Sequence, residues 1–403
     1  MPGSPACTGE RGGEGQERVY LDYGATAPMD PRVREAMEPY LAGRFGNASS
    51  LYAEGKASSS ALEAARATVS HAIGVRDPHD IVFTSGATES NNAAIWGISQ
   101  ARYADMRKSL GPGHVICSSF EHKAVLEPVR GLRRLGHEVT FIDPDRDGRI
   151  DPAALDAAIR PDTLLVSIMY ANNEVGTIQP VSELAAVAHS HGVPFHSDAV
   201  AAFGKVPVSP KDSGVDCMSF ASHKIGGPLG IGALYISKDV PFLAGMHGGG
   251  QERGMRSGTS NVPGAVGFAR AVELAMDDIA NGEPARLAAM RDGLVARMNG
   301  SGLPVRPVVG IPEGDVSRHL PQLVPLLVEG HGSQEMVRML DAEGFAVSGG
   351  SACTSTQSET DHVLSSMGIS TGDSLGFVRV TMGRSTMPAH VEALADALTG
   401  ILT

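Results

Sequence analysis

Residues 194–236 read PFHSDAVAAFGKVPVSPKDSGVDCMSFASHKIGGPLGIGALYI. Three short apolar runs, Pro194–Ser197, Asp216–Ala221 and Gly232–Ile236, are parted by Gly- and Pro-marked turns and are too short for helices. Runs of this length with little polar alternation predict strands buried on both faces, as in a mostly parallel sheet covered by helices. The same texture extends upstream. Ile81–Thr84, His114–Ser118, Glu138–Ile142 and Thr163–Met169 alternate with helical patterns such as Lys123–Leu135 and Val181–His191, the second stopped by Gly192 and Pro194. Seven candidate strands between about residues 80 and 240 therefore predict an α/β fold with a mostly parallel seven-stranded sheet.

Outside this block the pattern changes. A helix is expected to begin at Asp30-Pro31, a cap and first-turn pair, and another to run over Ser59–Ile73 with Gly74 as its stop. Beyond about residue 265 come helical patterns at Val266–Ile279 and Ala285–Met298, then Leu323–Val328 (strand), Ser333–Glu343 (helix), Val378–Met382 (strand) and His390–Ile401 (helix). This predicts a smaller α+β domain. The expected organisation is a disordered tail over 1–18, a small domain from 19–32 and 266–403, and a large domain over 33–265.

Charge and cysteine usage narrow the function classes. The 33 Lys+Arg stand against 45 Asp+Glu, a net charge of −12, which argues against direct nucleic-acid binding because phosphate contact needs clustered positive charge. No run approaches the ~18 apolar residues of a membrane span. The first 18 residues lack the apolar stretch of a secretory signal, so a cytoplasmic protein without membrane contact is expected. Cys7, Cys117, Cys217 and Cys353 show no CxxC pairing. Neither a disulfide framework nor a metal site is indicated, and a single catalytic thiol stays open.

Several strand ends carry residues with chemistry. Asp198 closes one strand, and the next ends at Ser222-His223-Lys224 before a glycine-rich sequel. An acid and a lysine at neighbouring strand ends would both face the crevice where α/β sheets bind ligands. A pyridoxal phosphate site needs this pair, the lysine for the Schiff base and the carboxylate to keep the pyridinium nitrogen protonated; a surface lysine beside a loop is the plainer reading. Ser85-Gly86-Ala87-Thr88 leads into a helix start that suits a phosphate or is simply a turn and cap. His122 follows another strand end, where it is either a proton carrier or a structural histidine. Asn172-Asn173 precedes Gly176 and reads as a turn or a ligand contact. Arg379, set in an apolar run, calls for a carboxylate partner from protein or substrate. Ser351-Ala352-Cys353-Thr354-Ser355 follows Gly349-Gly350, and an exposed loop thiol there is either a nucleophile or an incidental cysteine.

Taken in order, LDYGATAPMDPRV, FGNASSLY, FTSGATESNN, EHKAV, NNEVGTIQP, HSDAV, SHKIGGPLGIGALY, GGGQERGMRSGT and SGGSACTS resemble the pyridoxal-phosphate-dependent cysteine desulfurases of the NifS/IscS-like kind, in the class V aminotransferase family with fold type I. The likeness runs from about Val19 to the C-terminus. It implies that Lys224 binds the cofactor as a Schiff base and that Asp198 pairs with the pyridinium nitrogen. His122 would stack on the ring and assist proton transfer, and Asn173 would contact the cofactor and the substrate. Ala87, Thr88, His223 and Thr259, the last from the other subunit of a homodimer, would hold the phosphate, with Ser222 as a further cofactor contact. Arg379 would clamp the carboxylate of L-cysteine. Cys353 would be the nucleophile that becomes a persulfide and passes sulfur to an acceptor protein, as in iron–sulfur cluster assembly. Two positions depart from the pattern: Ala201 stands where the family usually has glutamine, and Ala221-Ser222 where it usually has serine and glycine. They leave room for altered chemistry in the same family, such as a selenocysteine lyase or a biosynthetic carbon–sulfur enzyme, and, more remotely, for a non-enzymatic scaffold.

Overall fold

The computed structural model describes residues 18–110, 112–350, 362–370 and 375–403, with the side chains of 106–110 left aside. In chain order the elements begin with β1 (Val19–Tyr20), α1 (Pro31–Leu41), α2 (Ala53–Ala72), β2 (Ile81–Thr84) and α3 (Ala87–Leu110). They continue through β3 (His114–Ser118), α4 (Lys123–Arg134), β4 (Glu138–Ile142), α5 (Pro152–Ala158), β5 (Thr163–Ser167), α6 (Val181–Ser190) and β6 (Phe195–Asp198). Next come α7 (Pro210–Ser213), β7 (Cys217–Ala221), β8 (Gly232–Ile236), α8 (Val262–Ala280), α9 (Glu283–Gly300) and β9 (Val305–Pro307). The remainder is β10 (Leu323–Glu329), α10 (Ser333–Ala342), β11 (Phe345–Ala346), α11 (His362–Ser366), β12 (Leu375–Thr381) and α12 (Pro388–Leu402).

The seven expected strands form one sheet in the order β2-β8-β7-β6-β5-β3-β4. Only β8 runs against its neighbours, so β2, β7, β6, β5, β3 and β4 all point the same way. Their C-terminal ends share one edge, the side on which such sheets bind ligands. Residues of β2, β3, β5, β6 and β7 are buried throughout, because helices cover both faces; this is why the sequence shows unbroken apolar runs. Strand β6 lies one residue further along than expected, taking Asp198 into the sheet, where it pairs in register with Ser219 of β7.

Helix starts follow local chemistry. Asp30 accepts a hydrogen bond from the Arg32 N–H, with Pro31 in the first turn, and Asn261 caps α8 in the same way through Gly264. Helix α2 begins at Ala53, six residues before the expected Ser59. Its first turns carry Gly55 and three serines rather than an apolar stripe, and Gly55 lies so close to the Ser50 carbonyl that a Cβ would sit 2.3 Å from it.

A second sheet, β12-β10-β9, is antiparallel, and a short parallel pair joins β1 to β11. Leu21 shares a core with Leu287, Leu294, Val324, Val378 and Leu398, tying the start of the chain to its end. Helix α8 instead packs Phe268 and Val272 into the core of the large sheet. Among the described residues no helix is long and apolar enough to cross a membrane, and no group of three His, Cys, Asp or Glu side chains is placed to hold a metal ion.

Candidate active site

A cavity of about 450 Å³ opens at the C-terminal edge of the large sheet. Of the residues singled out in the sequence, Ala87, Thr88, His122, Asn173, Asp198, His223, Lys224 and Arg379 all line it. Positions separated by as many as 292 residues, Ala87 to Arg379, meet because β2, β3, β5, β6 and β7 end together and β12 of the second sheet crosses beside them.

Each side chain is fixed by its element. Asp198 is 5% exposed; its Oδ1 accepts from the Val200 N–H at 3.0 Å and its Oδ2 from Asn91 Nδ2 at 2.6 Å. The Lys224 ammonium donates to the carbonyls of Ala25, at 2.9 Å, and Gly24. His122 caps α4, with Nδ1 accepting from the Ala124 N–H at 3.1 Å, so the neutral ring carries its proton on Nε2. Burial holds its pKa below the usual histidine value, although Asp198 pulls the other way. His223 bonds Thr26 Oγ1 at 3.2 Å; burial, then Lys224, lower it to about 4. Both histidines are therefore neutral at pH 7.

The helix start that faces the cavity is built for an anion. First-turn N–H groups of an α-helix have no partner within the helix. A Cβ on Gly86 would meet nothing within 4 Å, whereas one on Gly232 would sit 2.8 Å from the Gly86 Cα, so glycine at 232 is what lets the turn lie against the sheet. Glu89 in the same turn accepts from the Ser85 N–H and from Arg256 Nε, each at 2.7 Å; the Arg256 guanidinium and the Ser85 bonds outweigh its burial and hold its carboxyl below the usual value.

Two loops at the other side are braced from below. Glu121 Oε1 accepts from Ser118 Oγ at 2.5 Å and from the Met169 N–H at 2.6 Å, linking the ends of β3 and β5. Burial pushes its carboxyl up to about 8, with a smaller push from Asp198, so it is protonated at neutral pH. Asn172 Nδ2 donates to the Phe120 carbonyl and its Oδ1 accepts from Glu174 and Val175, which positions Asn173. Arg379, 3% exposed, donates to the Asn173 carbonyl and to Asp22 Oδ1, both at 2.9 Å; its Nε is buried without a partner.

Not every expected residue reaches the cavity. Ser222 is a correction: it is fully buried, with Oγ unpartnered and turned to the α8 side, where a Cβ on Gly227 would lie 2.1 Å from it. The turn of 3₁₀-helix over Ser222–Ile225 rotates it away while bringing His223 and Lys224 round. Thr259 is exposed and outside this cavity. Cys353, like Cys7, lies outside the described residues. Cys117 and Cys217 are buried, and burial raises both thiols well above the ordinary value, leaving them poor nucleophiles. Asn91, one turn after Ala87 on the same helix face, also lines the cavity, as do Gln322 and Lys205, which sit in no motif.

A pyridoxal phosphate fits these residues: an amine, a buried carboxylate one strand away, an open helix start, and unpartnered buried polar atoms on Asn91 and Arg379 beside them. Comparison with known proteins points the same way. A curated cysteine desulfurase IscS from Dictyoglomus turgidum is 40% identical over 387 residues, covering 96% of this chain and 95% of the relative. Another from Anaeromyxobacter sp. (strain Fw109-5) is 44% identical over 380 residues, 93% of this chain and 90% of the relative. Among solved structures, a NifS-like protein superposes with a TM-score of 0.83 at 34% identity, covering 96% of this chain and 99% of its own. SspA in complex with cysteine superposes at 0.77 and 33% identity, covering 90% and 98%. The model of the class-V aminotransferase family matches residues 19–394, and this chain is a member of that family.

Proposed function

We propose that the protein is a cysteine desulfurase, which converts L-cysteine to L-alanine and takes the sulfur onto Cys353 as a persulfide, with pyridoxal phosphate as cofactor. The observation that carries this reading is the meeting of Lys224, Asp198, the α3 N-terminus and Arg379 in one cavity. When bound, pyridoxal phosphate supplies an electron sink for the carbon from which a proton is removed. Lys224 would hold it, Asp198, oriented by Asn91, would keep its ring nitrogen protonated, and Ala87 and Thr88 would present backbone N–H groups to the phosphate. His223, neutral, adds a hydrogen bond without adding charge.

The remaining steps belong to the side chains. Arg379 would receive the substrate carboxylate with the donors that Asp22 and Asn173 leave free. Lys224 Nζ moves the α-proton, and His122, which lines the cavity with Nδ1 occupied and its proton on Nε2, relays protons without becoming a fixed charge. The Cys353 thiolate attacks the substrate sulfur, the carbon–sulfur bond breaks, and the three-carbon product takes up protons to leave as alanine. One L-cysteine and one thiol thus become one alanine and one persulfide, with no net redox change. The persulfide then passes to an acceptor protein. Thr259, exposed beyond this cavity, is assigned to the partner's site in a homodimer, and a cytoplasmic location belongs to the same proposal. We also divide the chain into a large and a small domain; the packing of α8 on the large core favours a boundary near the α8–α9 turn rather than at 265.

The test uses purified protein loaded with pyridoxal phosphate and given L-cysteine with a thiol reductant, while alanine and sulfide are measured. Expected are a yellow chromophore, abolished by Lys224→Ala, and sulfide release lost in Cys353→Ser. A colourless wild type sinks the enzyme reading; unchanged sulfide release by Cys353→Ser sinks the persulfide route in favour of lyase chemistry.

A further inference from the structure

Gln322 precedes β10 and is 6% exposed, yet it lines the cavity. Its side-chain amide can make several hydrogen bonds and, among the described residues, makes one, at the outer limit: Nε2 lies 3.5 Å from the Ala201 carbonyl, which leaves its second N–H and the buried Oε1 without a partner there. A buried amide left this way destabilises the fold. Its backbone is held firmly, since the carbonyl accepts from the Met382 N–H at 2.9 Å, so the side chain is presented to the cavity by a rigid segment.

The flank on which it stands decides what it meets. Residues 318–323 are bonded to the loop after β5: Ile178 N–H to the Arg318 carbonyl and Leu320 N–H to the Gly176 carbonyl, each at 2.8 Å. In the sheet order β5 lies on the far side of β6 and β7 from β2, which leads into α3. Gln322 therefore occupies the flank opposite the anion-binding helix start. On a pyridoxal phosphate ring, the phosphate arm and the ring hydroxyl sit on either side of the carbon that Lys224 would hold. A phosphate at α3 turns the ring oxygen toward this flank. Ala201, also in the lining, is too small to obstruct the amide.

We propose that Gln322 is a cofactor-positioning residue whose Nε2 donates its second N–H to the ring oxygen of pyridoxal phosphate; this rests on the functional reading above.

The test compares wild type with Gln322→Met, similar in shape and without polar hydrogen-bonding capacity, and Gln322→Asn, which keeps the amide but shortens its reach. Three quantities are read: the melting temperature of the apo-protein, the dissociation constant for pyridoxal phosphate, and the position of the visible band. For Gln322→Met the apo melting temperature is unchanged or higher, because an unsatisfied buried group has gone, while cofactor affinity falls about tenfold and the band moves. A purely structural glutamine would instead lower apo stability. Affinity within twofold of wild type with an unmoved band, or a fall in apo melting temperature without loss of affinity, overturns the proposal. If Gln322→Met does not fold, Gln322→Asn carries the same three readings. A wild type that forms no chromophore at all overturns the functional reading as well; a normal chromophore that neither variant disturbs overturns this inference alone.

Discussion

Replacing Glu121 by glutamine tests how the floor of the site is held. The carboxyl is wholly buried, and its Oε1 receives short hydrogen bonds from Ser118 Oγ and the Met169 N–H. Burial raises its pKa from an ordinary 4.5 to about 8. The native state therefore keeps a proton that the unfolded chain releases above 4.5. For a group raised in this way, the stabilisation is fully present below the unfolded pKa and is lost as pH rises through the folded one. Each pH unit between those limits removes about 1.4 kcal/mol, a few kcal/mol across the window. Glutamine offers the same accepting oxygen and does not titrate. Glu121→Gln should thus match wild type near pH 5 and become progressively more stable than it toward pH 8.5. Chemical denaturation of both proteins at matched cofactor loading, from pH 5 to 8.5, measures the difference directly. A difference that stays constant across that range refutes the assignment of a buried, protonated Glu121. Glu121→Leu serves as the contrast: it strands the Met169 N–H and the Ser118 hydroxyl, at about 1–3 kcal/mol for each group left unsatisfied, and should destabilise at every pH.

Two further outcomes follow from the packing. Ser222→Ala removes a buried, unpartnered hydroxyl that points away from the cavity, so stability should hold or rise by up to about 1 kcal/mol, with cofactor affinity unchanged in an equilibrium titration. A several-fold loss of affinity would show that Ser222 contacts the cofactor after all. Glu252 stands with Arg253 in left-handed backbone (φ 48° and 57°) and is anchored by Arg66 Nη1 at 2.5 Å and by the Phe83 N–H at 3.0 Å. Glu252→Ala leaves the buried Arg66 with only the half-exposed Glu63 as a carboxylate partner, and should cost about 3 kcal/mol in thermal or chemical unfolding. A cost under 1 kcal/mol would mean that the pair contributes little beyond its desolvation.

The large sheet was legible because a strand covered on both faces is mostly apolar, so β2, β3, β5 and β7 stand out as short runs; β6, Phe-His-Ser-Asp, is equally buried, with His196 satisfied by Ser167 and Ser219. The start of α2 was not, since its first turns are solvent-facing and glycine- and serine-rich, and nothing periodic marks them. Lys224 and Asp198 were readable by their place at strand ends. Ser222 was expected at the cofactor only from its place beside Lys224 in a shared motif, and the turn of 3₁₀-helix that begins there leaves its side chain buried on the α8 side.

Residue types and their order were enough to name an amine, an acid, a helix start and a guanidinium as the working groups, because each has a chemistry that few other residues can supply. Which groups support them depended on folding. Asn91 reaches Asp198 across 107 residues, Arg379 reaches Asp22 across 357, and Gln322 comes within 3.5 Å of Ala201 across 121. Such pairings leave no local trace in sequence, since hydrogen bonds and burial act over a few ångströms of space, and only the folded large sheet with the second sheet beside it brings those atoms within that range.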